Sequence, residues 1–162
     1  MSFLKGAILL IRVLFVCLGN ICRSPMAEAV MRDIVSKRGL SSEIKVDSAG
    51  TASYHIGEPP HKGTKAKLRQ YGISTAGMSA RQLKRIDGDQ FDYIVCMDSS
   101  NLQNAREMLG EKASSKIIRF LDLTPHKMDV PDPWYTTNFQ ETYDLCVEGC
   151  EALLAHILDN GK

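Results

Sequence analysis

A cysteine and an arginine frame a short loop near the start of the chain. Five residues separate Cys17 from Arg23, and a Ser-Pro pair follows directly. A loop of this length can curl around a tetrahedral anion, because its backbone amides point inward and form a nest. The arginine offers a planar fork to two phosphate oxygens, and a helix beginning at Ser24 adds the positive end of its dipole. We therefore predict an oxyanion site, for phosphate or a similar group, in this loop.

The same surroundings favour a thiolate over a thiol, so we expect Cys17 to be ionised near neutral pH. Attack of that sulfur on phosphorus would form a phosphocysteine, with Arg23 and the loop amides stabilising the transition state. Gly19 and Asn20 tolerate the positive φ angles that tight anion loops need, and the Ser24 hydroxyl can donate to the sulfur. The bare spacing is common by chance, and a cysteine that ends a strand is usually a packing residue. The Gly-Asn pair, the Ser-Pro helix start and the preceding strand favour the functional interpretation, and no Gly-Lys-Ser/Thr is present to make a nucleotide-binding loop.

Cleavage of a phosphate ester also needs a proton donor for the leaving oxygen. Asp132 is the best candidate, because Pro131 and Pro133 stiffen the chain on either side of it and Trp134 and Tyr135 follow. Taken alone, this segment is more typical of a solvated loop aspartate. The presence of the cysteine loop elsewhere in the chain favours a general acid that later activates water.

The elements around the cysteine loop place it at the end of a strand. Residues 13–16 form a short apolar run. A helical pattern follows, with Ser24 as its predicted N-cap and Pro25 at its first position, and it stops at Gly39. Residues 44–48 then alternate as a strand would. A strand, a helix and a second strand in succession indicate a parallel crossover.

The rest of the chain continues the alternation of helices and strands. The pattern predicts a helix ending near Gly72, a strand over 91–97, a helix to about Leu109, a strand over 117–120, a proline-rich loop over 125–133 and a final helix over 138–158. The helix to Leu109 follows Asp98 and two serines, and an aspartate or serine is the expected cap there. We therefore predict an α/β protein, a single doubly wound domain. Such sheets bind ligands beyond the carboxyl ends of their strands, where Cys17 stands.

Composition excludes several classes of protein. A chain of 162 residues suits one domain, and a net charge of +1 implies no nucleic acid partner. Five cysteines without a CxxC pair and only four histidines support neither a disulfide framework nor a metal site, so we predict no metal and no cofactor.

The start of the chain is apolar but is not a membrane anchor. The stretch over 7–17 is interrupted by Arg12 and is too short to span a bilayer. We expect no membrane association and a reducing, cytoplasmic location. Residues 1–6 are predicted to be a disordered leader or a cloning remnant, and residues 7–162 to be the domain.

Taken together, these segments resemble the low-molecular-weight protein tyrosine phosphatases. The resemblance is carried by VCLGNICRSP over 16–25 and by Asp-Pro-Trp-Tyr over 132–135, and it extends through the segments 46–51, 80–82 and 91–98. It implies a four-stranded parallel sheet with helices on both faces. It also implies metal-independent hydrolysis of phosphotyrosine and other aryl phosphates, with phosphotyrosine-containing proteins as partners.

The resemblance also implies residue roles. Cys17 is the nucleophile, Arg23 the phosphate-binding arginine, and Asp132 the general acid and base, while Ser48 and Asp98 support the loop as a scaffold. Substrate-binding residues by the same resemblance are Leu18, Gly19, Asn20, Ile21, Cys22, Ser24, Tyr54, Trp134 and Tyr135.

The sequence departs from the mammalian members of that family at two places. Trp134 stands where those members often have tyrosine, which opposes control of this site by a tyrosine kinase. Met78 and Ser79 stand where they carry a histidine. Ile21 differs from the threonine of the related bacterial phosphoarginine phosphatases, and an apolar residue there favours phosphotyrosine.

Cys22 has two interpretations of about equal weight. It can form a reversible disulfide with Cys17 that shields the nucleophile from overoxidation, or it can be a small buried side chain. Cys96, Cys146 and Cys150 fall on a strand and on the apolar face of the last helix, where packing is the expected role.

Two other functions compete with the phosphatase. A thiol-dependent arsenate reductase shares the anion loop but needs further cysteines to relay a disulfide, and no mobile loop here carries such a pair. A phosphotyrosine-binding pseudophosphatase would keep Arg23 and lose the nucleophile or the acid, whereas both Cys17 and Asp132 are present. The oligomeric state and the physiological substrate stay open.

Overall fold

The structure is a computed structural model that describes residues 10–160. Within them, four parallel strands form one sheet in the order β2-β1-β3-β4. The strands are β1 (Ile11–Cys17), β2 (Ile44–Gly50), β3 (Tyr93–Cys96) and β4 (Ile117–Arg119). This confirms the predicted four-stranded parallel sheet.

Helices cover both faces of the sheet, which confirms the doubly wound α/β architecture. The helices are α1 (Arg23–Lys37), α2 (Lys62–Gln70), α3 (Asp87–Gln90), α4 (Ser99–Leu109), α5 (Pro133–Thr136) and α6 (Phe139–Asn160). Two 3-10 turns, Glu111–Lys116 and Phe120–Leu123, flank β4.

Alternation along β1 decides which core each side chain joins. Val13, Phe15 and Cys17 pack with α1 and α6 in one core, while Leu14 and Val16 pack with α4 in the other. Successive side chains of a strand point to opposite faces, and a central strand of a parallel sheet is buried on both. The strand therefore delivers Cys17 to the face that carries α1.

The start of α1 differs from the sequence prediction. Its N-cap is Cys22, without a side-chain capping bond, so the prediction that Ser24 caps the helix was wrong. The Ser24 hydroxyl lies instead against Cys17 and Asn20. The predicted cap of α4 is confirmed, because Asp98 accepts a hydrogen bond from the Asn101 amide.

Both α3 and α5 were missed, since four residues are too few to show a helical period. The predicted leader over 1–6 and the beginning of the 7–162 domain lie outside the described residues. Among the described helices, none combines the length and the apolar character needed to cross a membrane.

Candidate active site

The loop after β1 begins at the centre of the sheet. Strand β1 lies between β2 and β3, so the winding of the chain changes direction there, and ligands of doubly wound proteins bind at such a point. Backbone bonds fix the loop from outside: Thr51 donates to the Cys17 carbonyl at 2.9 Å and His61 donates to the Ile21 carbonyl at 2.7 Å. The loop is therefore held in shape by segments distant in sequence.

Hydrogen bonds converge on the Cys17 sulfur. The Asn20 amide donates to Sγ at 3.3 Å, and Ser24 Oγ lies 3.0 Å from it. Asn20 Nδ2 donates to Ser24 Oγ at 2.8 Å, so the hydroxyl proton of Ser24 is free to point at the sulfur. Both contacts therefore place a hydrogen-bond donor against the sulfur.

Asn20 holds the loop in its curled form. Its φ of 58° is left-handed, a conformation that asparagine adopts more readily than most residues. Its Nδ2 also donates to Ser48 Oγ at 2.9 Å, and its Oδ1 accepts from the Arg81 amide at 3.0 Å. Gly19 does not have the positive φ expected for it; a side chain there would instead press on the His55 ring, 3.0 Å from the Cβ position.

Arg23 is buried beside the sulfur and is held by carboxylates. Its Nη1 donates to Asp98 at 2.7 Å and to the Val130 carbonyl at 3.0 Å, while Nη2 lies 3.4 Å from Asp132. Burial alone would lower the Arg23 pKa, but the charges of Cys17, Asp98 and Asp132 outweigh burial and raise that pKa further. The guanidinium stays charged and faces the loop.

Asp132 reaches the loop from the other end of the chain. It caps α5, with Oδ1 accepting from the Trp134 amide at 3.0 Å. The preceding segment is tied down by Asp129, which accepts from the Ser99 amide at 2.9 Å and from Arg119 at 3.1 Å. The structure thus brings Asp132 to the same guanidinium as the cysteine loop.

A cleft of about 220 Å³ opens above the sulfur. Its rim is aromatic, with Tyr54 and Tyr135 strongly exposed and the Trp134 ring 5.8 Å from the His55 ring. The lining residues are Cys17, Leu18, Gly19, Ile21, Cys22, Arg23, Tyr54, His55, Asp132, Trp134 and Tyr135. The structure therefore collects most of the predicted site residues in one cleft, with Asn20, Ser24, Ser48 and Asp98 directly behind them.

The other cysteines lie in surroundings that keep them protonated. Burial raises the pKa of Cys22 to about 12, with the charges of Cys17 and Asp132 adding to the effect. Burial also raises the pKa values of Cys96, Cys146 and Cys150. All five cysteines are free thiols in this structure, and the Cys17–Cys22 disulfide stays a prediction.

Four residues near the site were not among those predicted from the sequence. His55 lines the cleft and bonds Glu58 at 3.1 Å; its place directly after Tyr54 was the available signal. Glu28, Arg32 and Arg81 lie behind the loop. Glu28 and Arg32 stand one helical turn apart among apolar positions of α1, and that spacing was the available signal for these two residues. In the described part of the chain, no cluster of three metal-ligating side chains occurs.

Comparisons with known proteins agree with this geometry. Residues 12–162 match the family model described as low molecular weight phosphotyrosine protein phosphatase. The low molecular weight protein-tyrosine-phosphatase YfkJ of Bacillus subtilis is 55% identical over 150 residues, which are 91% of this chain and 96% of that one. PtpA of Staphylococcus epidermidis is 42% identical, over 94% of this chain and 97% of its own.

Solved structures agree as well. The crystal structure of YfkJ superposes with a TM-score of 0.92 at 52% identity, over 98% of this chain and 99% of that chain. The crystal structure of DARP, the Drosophila arginine phosphatase, superposes with a TM-score of 0.82 at 35% identity, over 90% and 96% of the two chains.

Gly50 provides a test of the loop geometry. A Cβ at this position would lie 2.7 Å from the Leu18 carbonyl oxygen and 3.1 Å from the Asn20 amide. We expect Gly50→Ala to push the loop away, lowering kcat/KM about 100-fold and the free energy of unfolding by about 1–3 kcal/mol. Steady-state kinetics and urea unfolding measure the two effects.

The matched control is Gly39→Ala at the end of α1. Gly39 has a φ of 70° and no neighbour within 4 Å of its Cβ position. Backbone strain should cost about 1–2 kcal/mol there and leave kcat/KM unchanged. Equal kinetic losses in both variants would contradict a specific role of Gly50 in the loop.

Proposed function

Because the chain belongs to the low molecular weight phosphotyrosine protein phosphatase family and is a protein-tyrosine phosphatase, we propose that it acts through a phosphocysteine on Cys17. The observation that carries this proposal is the convergence of two donors, Asn20 N–H and the Ser24 hydroxyl, on a sulfur at the floor of the cleft. Substrates are proteins that carry phosphotyrosine. The phosphate group lies in the loop over 17–23, against the backbone amides and Arg23.

In the first step, a lone pair of the Cys17 sulfur forms the S–P bond while the P–O bond to the aryl oxygen breaks. Asp132 gives its proton to that oxygen, so a neutral phenol leaves. Arg23 stays charged at every working pH because of its raised pKa, and it stabilises the equatorial oxygens. Asp98 and the Val130 carbonyl hold Nη1, which orients the fork.

In the second step, the Asp132 carboxylate takes a proton from water while the water oxygen bonds to phosphorus. The S–P bond breaks, and the electron pair returns to sulfur as a thiolate. Ser24, whose oxygen already accepts from Asn20, donates a hydrogen bond to the departing sulfur and keeps its proton. Inorganic phosphate then leaves the loop, and the enzyme returns to its starting state.

The cleft supports an aryl substrate. Tyr54, Trp134 and Tyr135 form an apolar rim above the loop, and aromatic faces favour stacking or edge contacts with a phenyl ring. The phenyl ring of the substrate then lies beside Asp132, whose carboxyl group faces the ester oxygen. The phosphate group of phosphotyrosine binds in the loop, and its flat ring lies between the aromatic side chains of the rim.

The arsenate reductase alternative is weaker. Cys146 and Cys150 are fully buried in α6, and Cys150 Sγ donates to the Ala27 carbonyl at 3.6 Å. Burial also raises the pKa values of both thiols, which opposes thiolate attack on a disulfide. The burial of both thiols therefore opposes a relay of electrons from Cys17 through them.

Removal of the nucleophile tests the mechanism. Cys17→Ser is expected to abolish hydrolysis of p-nitrophenyl phosphate measured with a chelator present, because a serine hydroxyl is far less acidic than a thiol and stays protonated in this loop. The control Cys96→Ala deletes a buried thiol in β3 and should keep most of the activity. Retained turnover in the serine variant would contradict the phosphocysteine proposal.

The acid role of Asp132 has a separate signature. In Asp132→Ala, phosphoenzyme formation should slow by a factor of about 10² to 10⁴ for phenolic esters with poor leaving groups. Activated nitrophenyl esters should lose much less, because their leaving oxygen does not need a proton. Rapid-quench bursts across a series of leaving groups measure this slope, and uniform slowing along the series would rule out an acid.

A second candidate substrate is phosphoarginine, since an arginine phosphatase is among the structural neighbours. The buried, apolar Ile21 side chain lines the cleft and offers no acceptor to a guanidinium leaving group. We expect a kcat/KM for phosphotyrosine peptides at least tenfold above that for phosphoarginine, and a shift of this ratio towards phosphoarginine in Ile21→Thr. A wild-type preference for phosphoarginine would reverse the assignment.

A further inference from the structure

Behind the loop, a row of hydrogen bonds leads from the Cys17 sulfur to a buried carboxylate. Ser24 Oγ lies 3.0 Å from Sγ and accepts from Asn20 Nδ2 at 2.8 Å. The same Nδ2 group donates to Ser48 Oγ at 2.9 Å, and Ser48 Oγ donates to Glu28 Oε1 at 2.6 Å. Glu28 is only 4% exposed, and neither proposed chemical step uses it.

The two far ends of this row fix the direction of every donor in it. The Arg81 amide donates to Asn20 Oδ1 at 3.0 Å, which turns the Asn20 Nδ2 group towards both serines. An ionised Glu28 can only accept, so Ser48 must donate to it and accept from Asn20. Ser24 accepts the second Nδ2 proton, and its own proton is then directed at the sulfur.

Three charged side chains surround the Glu28 carboxylate. Arg32, one turn later in α1, pairs with Oε2. Asp47 on β2 and Arg81 in the loop before α3 line the same surface depression as Glu28. Burial raises the Glu28 pKa, and the negative charge of Asp47 adds to this effect. The Ser48 hydrogen bond and the charges of Arg32 and Arg81 lower the pKa. On balance the Glu28 pKa lies above its ordinary value. The ion pair with Arg32 therefore opposes the cost of burying the charge.

We propose that Glu28 is a positioning residue for the nucleophile, and that it stabilises the Cys17 thiolate by holding the Ser24 hydroxyl proton towards the sulfur through Ser48 and Asn20. This inference rests on the proposed role of Cys17. A purely electrostatic effect has the opposite sign, because an anion behind the loop disfavours a second anion in it. The two effects can therefore be separated by experiment.

Two variants of Glu28 separate position from charge. Glu28→Gln keeps the shape but removes the charge and leaves one acceptor oxygen for two donors, Ser48 and Arg32. Glu28→Asp keeps the charge and shortens the reach to Ser48. We expect both to slow alkylation of Cys17 by iodoacetamide at pH 6 about tenfold, as expected when one donor to a charged group is lost. At high pH, where the thiolate forms in every variant, the rates should converge.

The readout must be specific to one cysteine and independent of turnover. Fragment-ion mass spectrometry distinguishes label on Cys17 from label on Cys22, which share a tryptic peptide. The control Asp33→Asn breaks the equivalent ion pair with Lys37 on the exposed side of α1 and should leave the rate unchanged. Circular dichroism melting identifies folded variants, and Glu28→Asp carries the test if the glutamine variant does not fold.

A double-mutant cycle tests the route of the effect. If Glu28 acts through Ser48, then Ser48→Ala combined with Glu28→Gln slows alkylation no more than Ser48→Ala alone. Faster alkylation in Glu28→Gln, unchanged alkylation in Glu28→Asp, or additive losses in the double variant would overturn the inference. Alkylation of Cys17 that leaves the wild-type enzyme active would instead refute the phosphocysteine mechanism, so the two failures are distinguishable.

Discussion

The proposed phosphocysteine mechanism requires a buried sulfur to carry a negative charge, and the rest of the site depends on this constraint. Cys17 is only 3% exposed, so water cannot stabilise its thiolate, and the protein has to supply donors. They come from the Asn20 amide and the Ser24 hydroxyl, with Arg23 beside them. The left-handed φ of Asn20 and the absence of a side chain at Gly50 follow from the need to curl the backbone tightly around this anion.

The cation that faces the sulfur creates a second demand. Burying a guanidinium is costly unless carboxylates and hydrogen bonds accompany it, and Asp98, Asp132 and the Val130 carbonyl provide them. Asp98 caps α4 with its other oxygen, so the same carboxylate fixes the helix and the arginine. The contact between Asp132 and Arg23 also brings the proposed general acid to the arginine that is proposed to bind phosphate. One electrostatic requirement thus assembles three segments that are far apart in sequence.

Local signals in the sequence were sufficient to predict the α/β class and a loop at the end of β1 with Cys17 at its start. The apolar run of β1, the Gly-Asn pair and the Asp98 cap are each visible within a few residues, and the parallel direction of the strands follows from the alternation of elements. The Ser24 cap failed for a physical reason: the hydroxyl that would cap α1 is required by the sulfur instead. Arg81 could not be placed, because its role depends on contacts across the fold. Arg81, for example, meets Asn20 over a sequence separation of 61 residues.

The five cysteines show why residue type alone does not define a nucleophile. Cys17, Cys22 and Cys96 are buried to nearly the same extent, so exposure does not distinguish them. Burial raises the pKa values of Cys22 and Cys96, and the Cys96 thiol lies in an apolar core cluster. At Cys17 alone, among these three, an amide and a hydroxyl both approach the sulfur. In the mechanism proposed for Cys17, the hydrogen bonds behind the sulfur have a fixed polarity. Through that polarity, the proposed role of Glu28 reaches the sulfur across four hydrogen bonds.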